Sequence, residues 1–244
     1  MEDALLYNLS VIRKRIKVTC NRCGRNPDDV KLLLATKTVA AEKIEIVLKA
    51  GENIIGENKV QELKSKYEFL KTTDAAIHFI GHLQTNKIKE VLKYANCIQS
   101  IDRMGLVYAL DKQLQALGKS MDILLQVNTS FEESKFGIAP EKAIAFAKEV
   151  SGFDTLKIKG LMTIGLFSAE QEKVRKCFRL LNNLKYEIVE MNLPNTEMDI
   201  LSMGMSGDLE AAIEEGSTMV RVGSAVFGQR KYPDSYYWDE SNKA

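Results

Sequence analysis

"VKLLLATKT", residues 30–38, decides how this chain is read. A continuous apolar run of strand length, without polar alternation, is the pattern of a strand covered on both faces. A lysine, Lys37, closes the run. The segment that follows, "AAEKIEIVLKAG", places Ile44, Val47 and Leu48 on one helical face and offers Gly51 as a C-terminal cap.

The same strand-then-helix unit recurs along the chain. Further apolar runs are "NIIG", "IHFIG", "CIQSI", "DILLQVN", "IKGLMTI", "DILSMG" and "MVRVG", with amphipathic helical segments between them. Pro140 fits the first position of the helix "PEKAIAFAKEV", and a long helix begins near Glu170. Buried strands alternating with helices imply a parallel sheet covered by helices. Eight such strands in 244 residues favour an α/β fold of one kind, a single (β/α)8 TIM barrel, over a doubly wound sheet. With 45% hydrophobic residues the chain can bury one large core, so a single domain over 1–244 is expected. Its parts are an extra N-terminal helix within 1–22, covering one side or the floor, a barrel over 30–230, and a tail over 231–244. The tail, "YPDSYYWDESNKA", is aromatic yet polar and is expected to pack against the barrel surface.

Lys and Arg number 34 against 33 Asp and Glu, so no charge footprint for nucleic acid or an anionic membrane is present. The start, "MEDALLYNLSVIRKRIKV", lacks the continuous apolar core of a secretory signal, and no segment approaches bilayer-spanning length. A cytoplasmic protein is the expectation. Cys20 and Cys23 stand in "CNRC", but no second pair at metal-binding spacing accompanies them, and His78 and His82 are distant. Reduced thiols and no metal are expected.

In a barrel of this kind chemistry sits at the C-terminal ends of the strands, which puts Lys37 at the mouth after the first strand. Two clusters of small residues follow the last two strands, "LSMGMSGD" at 201–208 and "RVGSAVFG" at 221–228. Ser202, Ser206 and Ser224 offer hydroxyls there, Gly204 and Gly223 allow close backbone approach, and the helix starts add a favourable dipole. One such cluster is ordinarily a turn; a pair at these strand ends reads as a phosphate cradle. The first and last strands of a closed barrel are neighbours, so a phosphate-bearing aldehyde could be anchored at the cradle and meet Lys37. Pyridoxal 5′-phosphate (PLP) is such a molecule, and a lysine Schiff base is its usual link to protein. Arg221 is placed to face its ring.

These residues lie in longer motifs: "IGENKVQE" at 55–62, "HFIGHLQTNK" at 78–87, "VNTSFEESKFGI" at 127–138, "GLMTI" at 160–164 and "GSTMVRVGSAVFG" at 216–228. With them the chain strongly resembles the pyridoxal phosphate homeostasis protein family, related to the N-terminal barrel of alanine racemase. The resemblance runs from "VKLLLATKT" to "VFGQR" and implies that Lys37 forms the Schiff base and that Ser206, Gly223 and Ser224, with Ser202 nearby, bind phosphate. It further implies that Arg221 faces the ring nitrogen and Asn58 the cofactor edge; His82, Asn86, Lys87 and Lys135 sit in family-like motifs without assigned roles. The family commonly has serine before the lysine and proline soon after; here Thr36 precedes it and "TVA" follows. Threonine keeps a hydroxyl, so the role of Lys37 is expected to survive.

The resemblance implies a non-catalytic carrier that binds PLP and buffers or supplies it, with PLP-dependent apoenzymes as recipients. The alternative is a racemase-like PLP enzyme, which needs an acid/base group on each face of the substrate. In the resembling racemases a tyrosine from a following domain supplies the second face across a dimer; no such domain is read here, so a monomeric carrier is favoured. A sugar-phosphate barrel enzyme, in which Lys37 forms an imine with its substrate, is a third reading.

Overall fold

A computed structural model describes residues 2–228; the aromatic tail lies outside the described residues. The expected barrel is observed. Eight parallel strands close in sequence order, β1 pairing with both β2 and β8. They are β1 (Lys31–Ala35), β2 (Ile54–Glu57), β3 (Ala76–Phe79), β4 (Cys97–Ile101), β5 (Met121–Gln126), β6 (Leu156–Met162), β7 (Thr196–Ser202) and β8 (Met219–Val222).

After the extra helix α1 (Glu2–Arg22), the outer layer consists of α2 (Ala41–Lys49), α3 (Val60–Leu70), α4 (Ile88–Tyr94), α5 (Met104–Leu117) and α6 (Ala143–Val150). It is completed by α7 (Gln171–Glu190), α8 (Leu209–Glu214) and α9 (Ser224–Phe227). Fully buried Ile55, Ile98, Ile123, Ile158 and Leu201 belong to a core that they share with the apolar faces of α2 to α7. Pro140 opens a 3₁₀ turn, Pro140–Lys142, ahead of α6 instead of standing in the α-helix itself; its fixed φ and missing N–H suit that tight first turn equally well.

The extra helix covers a side of the barrel and not its floor. Leu5, Leu9, Ile12, Ile16 and Cys20 form one buried stripe, packed with Leu32 and Leu34 of β1, Val220 and Val222 of β8, and Leu209 and Ile213 of α8. The physical need is plain, because α9 after β8 has a single turn and cannot cover that strand. α1 therefore supplies the missing helix of the layer.

Alternation along the strands sends the other side chains inward. Cys97, Leu124 and Met162 form a small apolar group there. Gly160 of β6 has φ +154°, and a Cβ on it would stand 1.8 Å from the Ile200 carbonyl oxygen, so glycine is required where β6 and β7 slip register. The described cysteines are all free, and no group of three metal-ligating side chains occurs among the described residues. No helix among them is long and apolar enough to cross a membrane.

Ile12 is 1% exposed at the centre of the α1 stripe. Ile12→Ala should destabilise the protein by roughly 2–5 kcal/mol, read as a fall in the urea midpoint. A change below about 0.5 kcal/mol would show that α1 is not part of the cooperative fold.

Candidate functional site

Lys37 emerges just past β1 into the mouth of the barrel. There it lines a cavity of about 330 Å³, within the size range of small-molecule sites. Ser206, Arg221, Gly223 and Ser224 line the same cavity, and Ile80, Met162, Ile164, Leu166 and Phe167 supply apolar walls. The first and last strand ends thus meet as barrel closure requires. Asn58 and Ser202 do not line it.

Ser202 instead lies beneath the cavity, wholly buried, where its hydroxyl donates to Gln99 Oε1 at 2.7 Å and accepts from Arg221 Nη1 at 2.8 Å. With its proton committed to Gln99, Ser202 acts on the guanidinium from below. Arg221 Nη2 donates to the Thr163 carbonyl at 2.8 Å. Burial lowers the Arg221 pKa to about 10, partly opposed by the charge of Asp208, so the group stays a cation at neutral pH.

The chain continues inward. Gln99 Nε2 lies 2.8 Å from His78 Nδ1 and 3.3 Å from the sulfur of Met219. An amide nitrogen only donates, so His78 Nδ1 accepts and its ring is neutral. This agrees with burial, which pushes the His78 pKa down to about 4. Sequence reading missed His78 and Gln99, since a polar residue in an apolar strand gives no sign of which distant strand holds its partner.

The loop after β7 is shaped by Asp208, whose Oδ1 accepts the Met205 N–H at 2.5 Å. Burial raises the Asp208 pKa, opposed by that hydrogen bond and by Arg221. From α1, Arg15 donates to the Ser206 carbonyl at 3.0 Å while pairing with Glu210 at 2.6 and 2.8 Å. Gly204 has φ +91°, and a Cβ there would meet that of Ala212 at 2.4 Å, so its openness serves packing against α8. With six residues in α8 and four in α9, the expected helix dipoles are small.

Asn58 follows β2, and its buried Oδ1 has no hydrogen-bond partner among the described residues. Thr36 does keep its hydroxyl in use, donating to Glu57 Oε1 at 2.7 Å. His82 stacks on Phe136 with ring centroids 3.8 Å apart, its Nδ1 3.5 Å from Asp102. Lys135 Nζ donates to the Gly165 carbonyl at 2.8 Å, tying together the loops after β5 and β6. Asn86 and Lys87 belong to a 3₁₀ turn, Thr85–Lys87. None of these four lines the cavity.

A cavity lined by an amine, hydroxyls, a buried cation and apolar side chains fits a phosphorylated aromatic aldehyde. The family model for the alanine racemase N-terminal domain matches residues 3–231, which defines the class of barrel. The chain is 42% identical to the pyridoxal phosphate homeostasis protein of Aquifex aeolicus, over 92% of this chain and 97% of that one. It belongs to the pyridoxal phosphate homeostasis protein family. PipY of Synechococcus elongatus, solved with PLP bound, superposes with a TM-score of 0.77 at 30% identity, covering 89% of this chain and 100% of that chain. An alanine racemase of Clostridium difficile shares the fold, with a TM-score of 0.77 at 14% identity over 95% of this chain and 58% of that one.

His78 makes the fold sensitive to acid. Its pKa falls from 6.5 to about 4 on folding, so as pH drops below 6.5 the unfolded chain takes up a proton that the folded chain refuses. The stability His78 contributes is complete above 6.5 and is lost as pH falls towards about 4, on the order of 3 kcal/mol. Urea melts at about pH 7.5 and about pH 4.5 should show a smaller acid loss for His78→Gln than for the parent. Equal losses would remove His78 from the account.

Proposed function

We propose that this protein binds pyridoxal 5′-phosphate through a Schiff base to Lys37 and serves as a non-catalytic carrier in PLP homeostasis. The observation that carries the reading is that Lys37 and the hydroxyl-bearing Ser206 and Ser224 line one cavity. The names of its relatives and the PLP-bound neighbour support it. Bound PLP supplies an aldehyde that an amine can capture and a pyridine ring that can accept electrons. Lys37 holds the aldehyde end. Ser206, Ser224 and the backbone at Gly223 receive the phosphate as hydrogen-bond donors, with Arg15 and Asp208 keeping the Ser206 loop in shape.

Arg221 faces the pyridine nitrogen in this reading. A cation held there by Ser202 and Thr163 disfavours protonation of that nitrogen and weakens the ring as an electron sink. Among the described residues lining the cavity, the ionisable side chains are Lys37, Asp208 and Arg221. Asp208 is engaged with the Met205 N–H in the cradle loop, so none of these described side chains is read as the acid/base group that racemisation needs on the opposite face. The carrier reading is therefore favoured over a racemase. PLP-dependent apoenzymes would receive the cargo, and a cytoplasmic monomer accords with this role.

Lys37→Ala should abolish the visible absorbance of the PLP-loaded protein, and borohydride reduction of the parent should leave a pyridoxyl group on Lys37 in a peptide map. Ser224→Ala should weaken PLP about tenfold or more while affecting pyridoxal much less, since a charge-assisted hydrogen bond contributes about 1.5–3 kcal/mol. An adduct confined to another lysine, or equal weakening of both ligands, would overturn these assignments.

Loaded protein incubated with L- and D-amino acids in deuterated water should show only slow α-proton exchange and no racemisation at substantial turnover. Rapid exchange with racemisation, lost in Lys37→Ala, would make the protein an enzyme.

A further inference from the structure

The backbone on either side of Lys37 is held by one helix. Lys66 of α3 donates from Nζ to the Thr36 carbonyl at 2.7 Å, to Glu57 Oε1 at 2.7 Å and to Glu62 Oε2 at 3.1 Å. Glu62, one helical turn earlier, accepts the Thr38 N–H on that same Oε2. Thr36 is tied a second time, through its hydroxyl to Glu57 Oε1 at 2.7 Å. The three side chains therefore grip the residue before Lys37 and the residue after it.

The turn needs such a grip. Thr38 has φ +64°, a left-handed conformation that a β-branched residue adopts only where its surroundings impose it. Glu57 is wholly buried and Lys66 nearly so, and the second carboxylate oxygen of Glu57 has no hydrogen-bond partner among the described residues. A buried ion pair adds little net stability over apolar packing. If this one served only to dock α3 on β2, its hydrogen bonds would run between those two elements. Two of them run instead to Thr36, and Glu62, itself paired with Lys66, adds a third to Thr38.

We propose that Glu57, Glu62 and Lys66 are positioning residues that present Lys37 Nζ to the aldehyde of PLP by fixing the Thr36–Thr38 turn. This rests on the PLP reading above. In the step they serve, the deprotonated Nζ adds to the aldehyde carbon, water leaves, and C=N replaces C=O with no oxidant or reductant required. The reactive amine sits on a flexible stem, so the direction in which its Cα is held decides how often it meets the carbon at bonding distance.

The test mixes PLP with full-length protein freed of ligand and follows growth of the visible band, for the parent, Lys66→Met, Glu62→Ala and Glu62→Gln. Pyridoxine 5′-phosphate, which has the ring and phosphate but no aldehyde, reads the cradle alone. Band growth should slow about tenfold in Lys66→Met and Glu62→Ala, while affinity for pyridoxine 5′-phosphate stays within about twofold of the parent. Glu62→Gln, which keeps an acceptor for the Thr38 N–H, should recover most of the rate. Lys66→Met strands a buried carboxylate and can fail to fold; Glu62 is half-buried, so Glu62→Ala then carries the test. An unchanged rate in Glu62→Ala, or an equal loss of pyridoxine 5′-phosphate, overturns the clamp. A parent that forms no band but binds pyridoxine 5′-phosphate overturns the Schiff-base reading, and the clamp with it.

Discussion

Closure of β1 on β8 is the constraint from which the site follows. The register runs Lys31 to Met219, Leu32 to Val220, Leu33 to Arg221 and Leu34 to Val222. It sends Leu33 and Arg221 inward while Leu32, Leu34, Val220 and Val222 turn outward to meet α1. A slip of one residue would exchange these faces, exposing a guanidinium to the apolar helix layer and emptying the mouth of its cation. With the register held, the Lys37 turn and the Gly223–Ser224 turn leave adjacent strands side by side. The apolar stripe of α1 and the shape of the ligand cavity are thus two consequences of one pairing.

Burying Arg221 imposes a second demand. A charge inside a protein must be met by fixed hydrogen-bonding groups. Here Ser202 and the Thr163 carbonyl meet it, Gln99 orients Ser202, and a neutral His78 receives Gln99. Four strands, β3, β4, β7 and β8, and the residue that follows β6 supply this series, so the guanidinium is held from several sides of the barrel. Such a series favours a rigid site and accepts acid sensitivity through His78 in exchange.

The outer helices also reach the mouth. α1, whose apolar stripe completes the layer, sends Arg15 to the Ser206 carbonyl, and α3 sends Glu62 and Lys66 to the Lys37 turn. The loops that carry the ligand-facing side chains are therefore braced from outside the barrel at both ends of the cavity. This arrangement lets short loops present functional groups without losing their geometry.

Much of this protein was legible in its sequence because the signals are local. Continuous apolar runs mark strands buried on both faces, and their alternation with amphipathic helices defines the barrel. A lysine ending β1 and small-residue clusters after β7 and β8 then locate the mouth, and the structure brings Lys37, Ser206, Arg221, Gly223 and Ser224 to one cavity. Other features depend on partners far apart in the chain. Ser202 looks like one more cradle hydroxyl until Gln99 and Arg221 are seen to occupy it. Glu62 and Lys66 have the spacing of an ordinary solvated i,i+4 pair, yet Lys66 is buried and both face the turn after β1. Which side of the barrel α1 covers was likewise open, since an amphipathic stripe states that a face is buried and not against what. Periodicity determines which side chains leave water; only closure of the barrel decides which polar groups then meet one another.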